Sequence, residues 1–232
     1  MTQVKGRFRY VFFDADDTLW ENESHFREAE HRFALLLSAY APENQIVELL
    51  TQKQEENIPV FGYGSKTFLI GMLDAATEIC GEDFDADIYA SVKEIIRELA
   101  HHEFELIDGV EEVLHALSGK YVLAVATKGD LTEQMYKYRA SGLEKTFHHI
   151  EVMERKNEDD YLRMAAKLDI APEEILMVGN SVKSDIAPVV NIGGTAIHVP
   201  HTVTWIHEIM DIPDSDRVIE VKNIREILKI LL

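Results

Sequence analysis

The stretch YVFFDADDTLW, residues 10–20, decides how the rest of the sequence is interpreted. Its apolar first half predicts a buried β-strand, and Asp14, Asp16 and Asp17 follow where that strand ends. Carboxylates this close repel one another and oppose folding unless a positive charge compensates. We therefore expect the aspartates to have a chemical role.

The composition limits the classes of function. A chain of 232 residues is long enough for one large domain or for a core domain with a smaller insert. Its net charge of −19 repels nucleic acid and anionic membranes, so we expect neither as a partner. An anionic substrate would need a local cation, either a lysine or a bound metal.

The sequence also predicts a cytoplasmic protein. The single cysteine, Cys80, excludes an internal disulfide and is expected to be a buried structural residue. The first ten residues, MTQVKGRFRY, lack the apolar core of a signal peptide. No apolar run approaches the ~18 residues of a membrane span.

Alternating patterns predict an α/β fold with a Rossmann-like parallel sheet covered by helices on both faces. Short apolar runs predict buried strands at 9–15, 121–127, 149–154, 174–180, 195–200 and 217–222. Helical patterns from residue 108 onward lie at about 109–118, 130–141, 158–169, 183–192 and 223–231. Asp108, with Glu111 three residues later, is the expected N-cap of the first of these helices.

Residues 22–103 interrupt this alternation. They show four helical patterns and no strand pattern, at about 22–40, 43–56, 65–80 and 85–102. The aspartates of DFDADI are suited to capping the fourth helix. The sequence therefore predicts an α/β core domain at 1–20 and 104–232, with an all-helical domain at 21–103 inserted after the first strand.

Polar side chains follow four of the predicted strands. Besides the aspartates after the first strand, they are Thr127, Lys156, Asn180 and Asp185. In open parallel sheets, ligands bind beyond the carboxyl ends of the strands, so these residues are expected to converge on one edge.

The residue types at that edge suit phosphoryl transfer. Clustered carboxylates favour a hard cation such as Mg²⁺. A carboxylate can attack phosphorus, and a second one two residues away can protonate the leaving oxygen and then activate water. The Thr127 hydroxyl, at the start of a helix, suits a phosphate oxygen, and the Lys156 ammonium would neutralise developing charge. Asn180 and Asp185 can supply oxygens to a metal or to its waters.

These four segments, DADDT, Thr127, Lys156 and GNSVKSD, resemble in order and spacing the motifs of the haloacid dehalogenase (HAD) superfamily. The helical insert resembles that superfamily's C1 cap. The resemblance implies a nucleophilic Asp14 that also ligates Mg²⁺, and a general acid/base Asp16 whose backbone carbonyl also touches the metal. It further implies phosphoryl binding by Thr127, charge neutralisation by Lys156, and a metal site completed by Asn180 and Asp185.

Two positions depart from the superfamily pattern. Asp17 stands where a glycine is usual, and we expect it to form a turn and not to take part in catalysis. Asn180 replaces the first aspartate of the fourth motif, which removes one negative charge and predicts weaker metal binding. The superfamily's dehalogenases lack the second aspartate, because a halide leaves without a proton. Asp16 therefore favours phosphate-ester hydrolysis.

Several residues keep two interpretations. Lys128 also follows a strand and is an alternative to Lys156, although it is more suited to solvent or substrate. The segment 57–67 has two interpretations. In one, Phe61, Tyr63 and Lys66 contact the leaving group of a substrate. In the other, the segment is a plain turn between helices, with Phe61 in the insert's own core. The histidines after the fifth strand, His198, His201 and His207, are expected to form a polar loop and not a zinc site.

The sequence thus predicts a Mg²⁺-dependent phosphatase acting on small phosphate monoesters, such as a sugar phosphate, a nucleotide or a cofactor precursor. It is expected to be a monomer or homodimer. A phosphomutase on the same fold and a non-catalytic phosphate-binding or regulatory protein are the alternatives. A receiver-like signalling domain also uses clustered aspartates, but it is about half this length and has no helical insert.

Overall fold

The structure of the chain is a computed structural model that describes residues 8–101, 105–203, 205 and 208–232. Within those residues, the strands are β1 (Tyr10–Phe13), β2 (Val122–Lys128), β3 (His149–Met153), β4 (Leu176–Gly179), β5 (Thr195–His198) and β6 (Val218–Glu220). The helices are α1 (Glu23–Leu36), α2 (Glu43–Phe61), α3 (Ser65–Cys80), α4 (Ala86–Ala100), α5 (Val110–Leu117), α6 (Leu131–Ala140), α7 (Glu158–Leu168), α8 (Ala187–Asn191) and α9 (Leu228–Leu231).

The six strands form one parallel sheet in the order β3-β2-β1-β4-β5-β6, which confirms the predicted fold class. Both faces of the sheet are buried. Val11 and Phe13 of β1 belong to one apolar cluster, whereas Phe12 belongs to another, because successive side chains of a strand point to opposite faces. Phe13 pairs with Val125 of β2 and Val178 of β4, so β1 and β4 end close together, beside a β2 strand that continues to Lys128.

The chain divides into two compact units. Among the described residues, the α/β unit takes in residues 8–23, 105–128 and 134–232. The helical unit takes in residues 24–101 and also residues 129–133, which lie between β2 and the middle of α6. Each unit is described separately below.

The helical unit has its own apolar core, and its four helices confirm that the insert after β1 is all-helical. Asp85 caps α4 by accepting hydrogen bonds from the backbone N–H groups of Asp87 and Ile88, as the sequence predicted. Cys80 is buried in this core, and burial raises the pKa of its thiol, which agrees with a structural role.

The segment between the second and third helices differs from the prediction. Helix α2 continues to Phe61, with Pro59 in its last turn, so only Gly62–Gly64 separates it from α3. Phe61 is 57% exposed, and the interpretation that placed it in the insert's own core is therefore wrong.

Three further predictions in the α/β unit need correction. The N-cap of α5 is Gly109, in the left-handed conformation, and Asp108 instead binds Arg225 through both carboxylate oxygens. The helix predicted at 183–192 is a π-helical turn, Val182–Ile186, followed by the short α8. The helix predicted at 223–231 begins as a 3₁₀ turn, Ile224–Ile227. Among the described residues, no helix combines the length and apolarity that crossing a membrane requires.

Candidate active site

The aspartate after β1 lies at the centre of the polar edge of the sheet. The backbone N–H of Asp14 donates to the Val178 carbonyl at 2.9 Å, which extends the pairing of β1 with β4 by one residue. The Asp14 side chain is 10% exposed. This position, one residue beyond a strand buried on both faces, fixes the carboxylate at the edge where the sequence predicted a site.

Lys156 follows β3 and reaches this carboxylate. Its Nζ donates to Asp14 Oδ1 at 2.7 Å and also to Asp185 Oδ1. The side chain is 1% exposed, and its backbone takes the left-handed conformation, with φ +54°. Left-handed backbone costs about 1 kcal/mol or more in a non-glycine residue, so the surrounding structure must hold it. Between the two lysines considered from the sequence, Lys156 is the one that contacts Asp14.

The charges in this group shift one another's pKa values. Burial, together with the Asp185 carboxylate, raises the pKa of Asp14 to about 8 despite the opposing effect of Lys156. Burial lowers the pKa of Lys156, but Asp14 and Asp185 outweigh it and hold that pKa well above its ordinary value. A further cation next to Asp14 would favour its ionised form at neutral pH.

An oxygen cluster beside Asp14 is suited to such a cation. Asn180 Oδ1 lies 3.1 Å from Asp14 Oδ2 and 3.3 Å from the Asp16 carbonyl oxygen, with no hydrogen between these acceptors. Turning the amide by 180° satisfies the same contacts, because its N–H₂ then donates to both oxygens and to Thr18 Oγ1 at 3.1 Å. An amide can therefore bind its neighbours with or without a metal. Its oxygen can ligate a metal, and its N–H₂ group can donate hydrogen bonds to the same neighbours when no metal is bound.

The oxygen donors in this cluster fit Mg²⁺, which prefers carboxylate, carbonyl and water ligands. They are the Asp14 carboxylate, the backbone carbonyl of Asp16 and the Asn180 amide. Asp185 is placed differently, because its Oδ1 accepts from Lys156 and its Oδ2 accepts from the Ser181 backbone N–H at 3.0 Å. Asp185 as a metal ligand stays a prediction.

Gly179 explains how Asp185 packs against the sheet edge. A Cβ built on Gly179 would lie 2.2 Å from Asp185 Oδ2. That separation is far below any real contact, so only glycine allows the Asp185 carboxylate to lie against the last residue of β4. The glycine before Asn180 in the fourth motif is thus required by packing.

The side chain of Asp16 is surrounded by hydrogen-bond donors. Lys137 Nζ donates to its two oxygens at 3.1 and 3.0 Å, Gln134 Nε2 donates at 2.9 Å and Trp20 Nε1 at 2.7 Å. Burial raises the pKa of Asp16, but Lys137 and the other donors outweigh it and hold that pKa below its ordinary value. Asp16 is thus held as a carboxylate in this arrangement.

The two residues at the end of β2 have separate surroundings. Thr127 is buried, and its Oγ1 donates to Gln134 Oε1 at 3.5 Å, so Gln134 connects Thr127 with Asp16. Lys128 donates to Ser184 Oγ at 2.9 Å and to the Glu208 carboxylate, which Lys128 keeps ionised against the effect of burial. Lys128 therefore points into the α/β unit and not to open solvent.

Asp17 has the local structure that the sequence predicted for it. Its φ of +61° is the left-handed conformation that explains why glycine is usual at this position. Its carboxylate accepts hydrogen bonds from the backbone N–H groups of Asn22 and Glu23, which closes the turn before α1. Asp17 is therefore a turn-forming residue in the structure.

The loop after β5 holds a small polar group. His201 lies 3.2 Å from the nearer Glu21 oxygen and 3.8 Å from Asp17, so these three side chains are close enough to share a cation. Each already has hydrogen-bond partners, and acidic groups of this kind are common without a metal. His198 Nε2 lies 3.1 Å from the Asn180 carbonyl oxygen, and His207 lies outside the described residues.

The two predicted substrate-binding residues of the insert belong to the helical unit. Tyr63 is half-buried between α2 and α3. Lys66 is exposed and pairs with Asp130 at 2.8 Å, while the neighbouring Ser65 donates to Glu133 from both its backbone N–H and its hydroxyl. Contact of Tyr63 and Lys66 with a substrate stays a prediction.

Sequence reasoning missed several residues of the site: Thr18, Trp20, Gln134, Lys137 and Glu208. Gln134 and Lys137 are each 4% exposed although they lie in a helix rich in polar residues. Their spacing of three residues places them on one helical face, and that is the signal that was available.

Comparison with known proteins identifies the family. The family model for a haloacid dehalogenase-like hydrolase matches residues 8–193. A haloacid dehalogenase-like family hydrolase from Xanthomonas campestris is 34% identical, with a TM-score of 0.86 over 94% of this chain and 88% of that one. A comparison with curated protein sequences found no significant match.

More distant solved structures share the fold. The HAD-type hydrolase YfnB from Bacillus subtilis, solved with bound magnesium, is 20% identical over 97% of this chain and 98% of that one, with a TM-score of 0.65. A predicted phosphoglycolate phosphatase from Haemophilus somnus is 19% identical over 99% of both chains, with a TM-score of 0.59. Several dehalogenases, 14% to 22% identical, are similar as well.

The family match covers most of the sequence, and the candidate site residues lie at one edge of the parallel sheet. This chain belongs to the haloacid dehalogenase-like hydrolases.

Proposed function

We propose that this hydrolase is a Mg²⁺-dependent phosphatase that acts on small phosphate monoesters through an aspartyl-phosphate. The observation that carries the proposal is Asp16, which lies two residues after Asp14 and is held by three donor side chains. Loss of an alcohol requires a proton-transferring group, whereas a departing halide does not. Such a carboxylate therefore supports ester hydrolysis over dehalogenation.

In the proposed reaction, an Asp14 oxygen attacks phosphorus as the bond from phosphorus to the alcohol oxygen breaks, and the minor, protonated form of Asp16 gives its proton to that departing oxygen. Asp16 then takes a proton from the water that releases phosphate. Thr127 would hold a phosphoryl oxygen, and Lys156, which already contacts Asp14, would stabilise the charge that develops.

Mg²⁺ would be held by the Asp14 carboxylate, the Asp16 carbonyl and the Asn180 amide oxygen. When bound, it supplies positive charge that neutralises the carboxylates and attracts the phosphate. We also propose that Lys128, Tyr63 and Lys66 contact the substrate, and that Asp185 assists the metal site.

The substrate is proposed to be a sugar phosphate, a nucleotide or a phosphorylated cofactor precursor. We place the protein in the cytoplasm, as a monomer or homodimer, because its single cysteine suits a reducing compartment and its net charge of −19 disfavours nucleic acid and membranes.

The test is phosphate release from p-nitrophenyl phosphate and from a panel of phosphometabolites, with and without Mg²⁺. We expect Mg²⁺-dependent turnover that falls at least about 100-fold in Asp14→Asn, because the amide is not a nucleophile toward phosphorus. Equal activity in the two proteins would overturn the nucleophile assignment.

Two further assays separate the alternatives. Chloride release from 2-chloropropionate without phosphate release would identify a dehalogenase, and transfer to a second hydroxyl without net phosphate release would identify a phosphomutase. No turnover in any of these assays would support a non-catalytic protein.

A further inference from the structure

A catalytic acid/base alternates between a protonated and an ionised form. The contacts of Asp16 match only the ionised form. Lys137, Gln134 and Trp20 all direct hydrogens at its oxygens. An ammonium and an indole N–H have no lone pair to accept a carboxylic O–H, so these contacts suit the carboxylate.

Lys137 is itself fixed in place. Its side chain is 5% exposed, and its Nζ donates to the two Asp16 oxygens and to Asn22 Oδ1 at 2.6 Å. An ammonium bound to three oxygens of two residues has little freedom to rotate away. Lys137 lies three residues after Gln134 on α6, so one face of this helix supplies two of the three side chains that donate to Asp16.

We propose that Lys137 is a positioning residue that holds the Asp16 carboxylate in place as the base for hydrolysis of the aspartyl-phosphate. This rests on the phosphatase function proposed above. In that step a water oxygen bonds to phosphorus as the bond from phosphorus to the Asp14 oxygen breaks, and its electron pair stays on Asp14. The water proton moves to Asp16 and from there to solvent.

The proposal assigns Lys137 to the second half of the reaction. Formation of the aspartyl-phosphate from an aryl ester needs little help from Asp16, because p-nitrophenolate is a stable leaving group. Hydrolysis needs the base whatever the leaving group was. A loss confined to hydrolysis lowers kcat and KM together and leaves kcat/KM unchanged, because kcat/KM reports only the steps through the first irreversible one.

The experiment compares Lys137→Met with the wild type on p-nitrophenyl phosphate with Mg²⁺, by steady-state and rapid-mixing kinetics. We expect kcat and KM each to fall by about 10- to 100-fold while kcat/KM stays within about twofold. A burst of close to one p-nitrophenol per enzyme should precede the slow phase. Acid-quenched protein should carry one added phosphoryl group by intact mass spectrometry.

Two matched variants complete the test. Lys137→Arg keeps a cation with several donors and should retain a kcat within about threefold of the wild type. Lys145→Met makes the same chemical change at an exposed lysine beyond α6 and should leave all parameters unchanged. If Lys137→Met does not fold, Lys137→Gln, which keeps a donor without the charge, is measured instead. The same fall in kcat and KM with unchanged kcat/KM is expected.

An equal fall in kcat and kcat/KM would overturn the proposal, since it would indicate a general structural effect. An unchanged or higher kcat would overturn it as well, because the ion pair would then be dispensable or inhibitory. A wild-type protein that releases no phosphate is a different result, since it rejects the phosphatase function before any Lys137 variant is compared.

Discussion

Replacing Asn180 by aspartate tests whether this residue belongs to the proposed metal site. In the orientation that satisfies the metal-free site, the Asn180 amide donates to Asp14 Oδ2 at 3.1 Å and to the Asp16 carbonyl at 3.3 Å. A carboxylate at position 180 has no hydrogen for either contact, and it places another negative charge next to the Asp14 carboxylate. At about 1 kcal/mol for each lost hydrogen bond, we expect Asn180→Asp to lose about 2 kcal/mol of stability without metal.

Magnesium should reduce the difference in stability between the two proteins. The added charge strengthens binding of a divalent cation, and a tenfold lower Kd is worth about 1.4 kcal/mol of extra stabilisation once the metal is in excess. For a protein of this size, 1 kcal/mol shifts Tm by about 2–4 °C. We therefore expect Asn180→Asp to melt about 4–8 °C below the wild type in EDTA and to gain about 3–6 °C more from Mg²⁺.

The assay is thermal denaturation of both proteins in EDTA and over a Mg²⁺ titration, which does not depend on enzymatic activity. Asn44→Asp is the matched control, because Asn44 is exposed on α2 and its replacement adds the same charge to the surface. If Asn180→Asp is as stable as the wild type in EDTA and has the same Mg²⁺ response, the assignment of Asn180 to the metal site is refuted.

Three other substitutions test separate parts of the structure. Gly179→Ala should greatly reduce the urea midpoint or the yield of folded protein, because its Cβ would overlap Asp185 Oδ2; a wild-type midpoint would contradict the packing argument. Arg225→Ala should leave the urea midpoint unchanged, since its ion pairs are exposed to solvent, and a clear decrease would show that they matter. Tyr63→Ala and Lys66→Ala should change the ratio of kcat/KM values across a phosphate-ester panel, and unchanged ratios would remove them from substrate recognition.

The parts of the site that the sequence predicted are those fixed by the strands. Asp14, Thr127 and Asn180 each lie at or just beyond a strand end, and parallel strands bring their carboxyl ends to one edge. Lys156 was harder to choose, because Lys128 also ends a strand. Only the three-dimensional path after β3, with a left-handed residue at Lys156, turns its ammonium toward Asp14.

The parts that the sequence did not predict depend on side chains from helices and loops. Lys137 and Gln134 look like solvent-facing residues of a polar helix, and their burial follows from where α6 packs. Helix α2, predicted to end at about residue 56, continues to Phe61, because Pro59 in its last turn prevents only one hydrogen bond. Asp108 suited an N-cap, but the left-handed Gly109 takes that position.

The charges around Asp14 give a reason for an amide at position 180. When Asp14 is ionised, as a bound cation favours, the carboxylates of Asp14, Asp16 and Asp185 face the ammonium groups of Lys137 and Lys156, and three negative and two positive charges give a net charge of −1. A divalent cation changes this to +1, which attracts a phosphate ester, whereas an aspartate at position 180 would leave the loaded site neutral. In the proposed metal site, Asn180 would thus hold Mg²⁺ less tightly but leave positive charge for the substrate, and Asn180→Asp should raise the KM for phosphate esters while lowering the Kd for Mg²⁺.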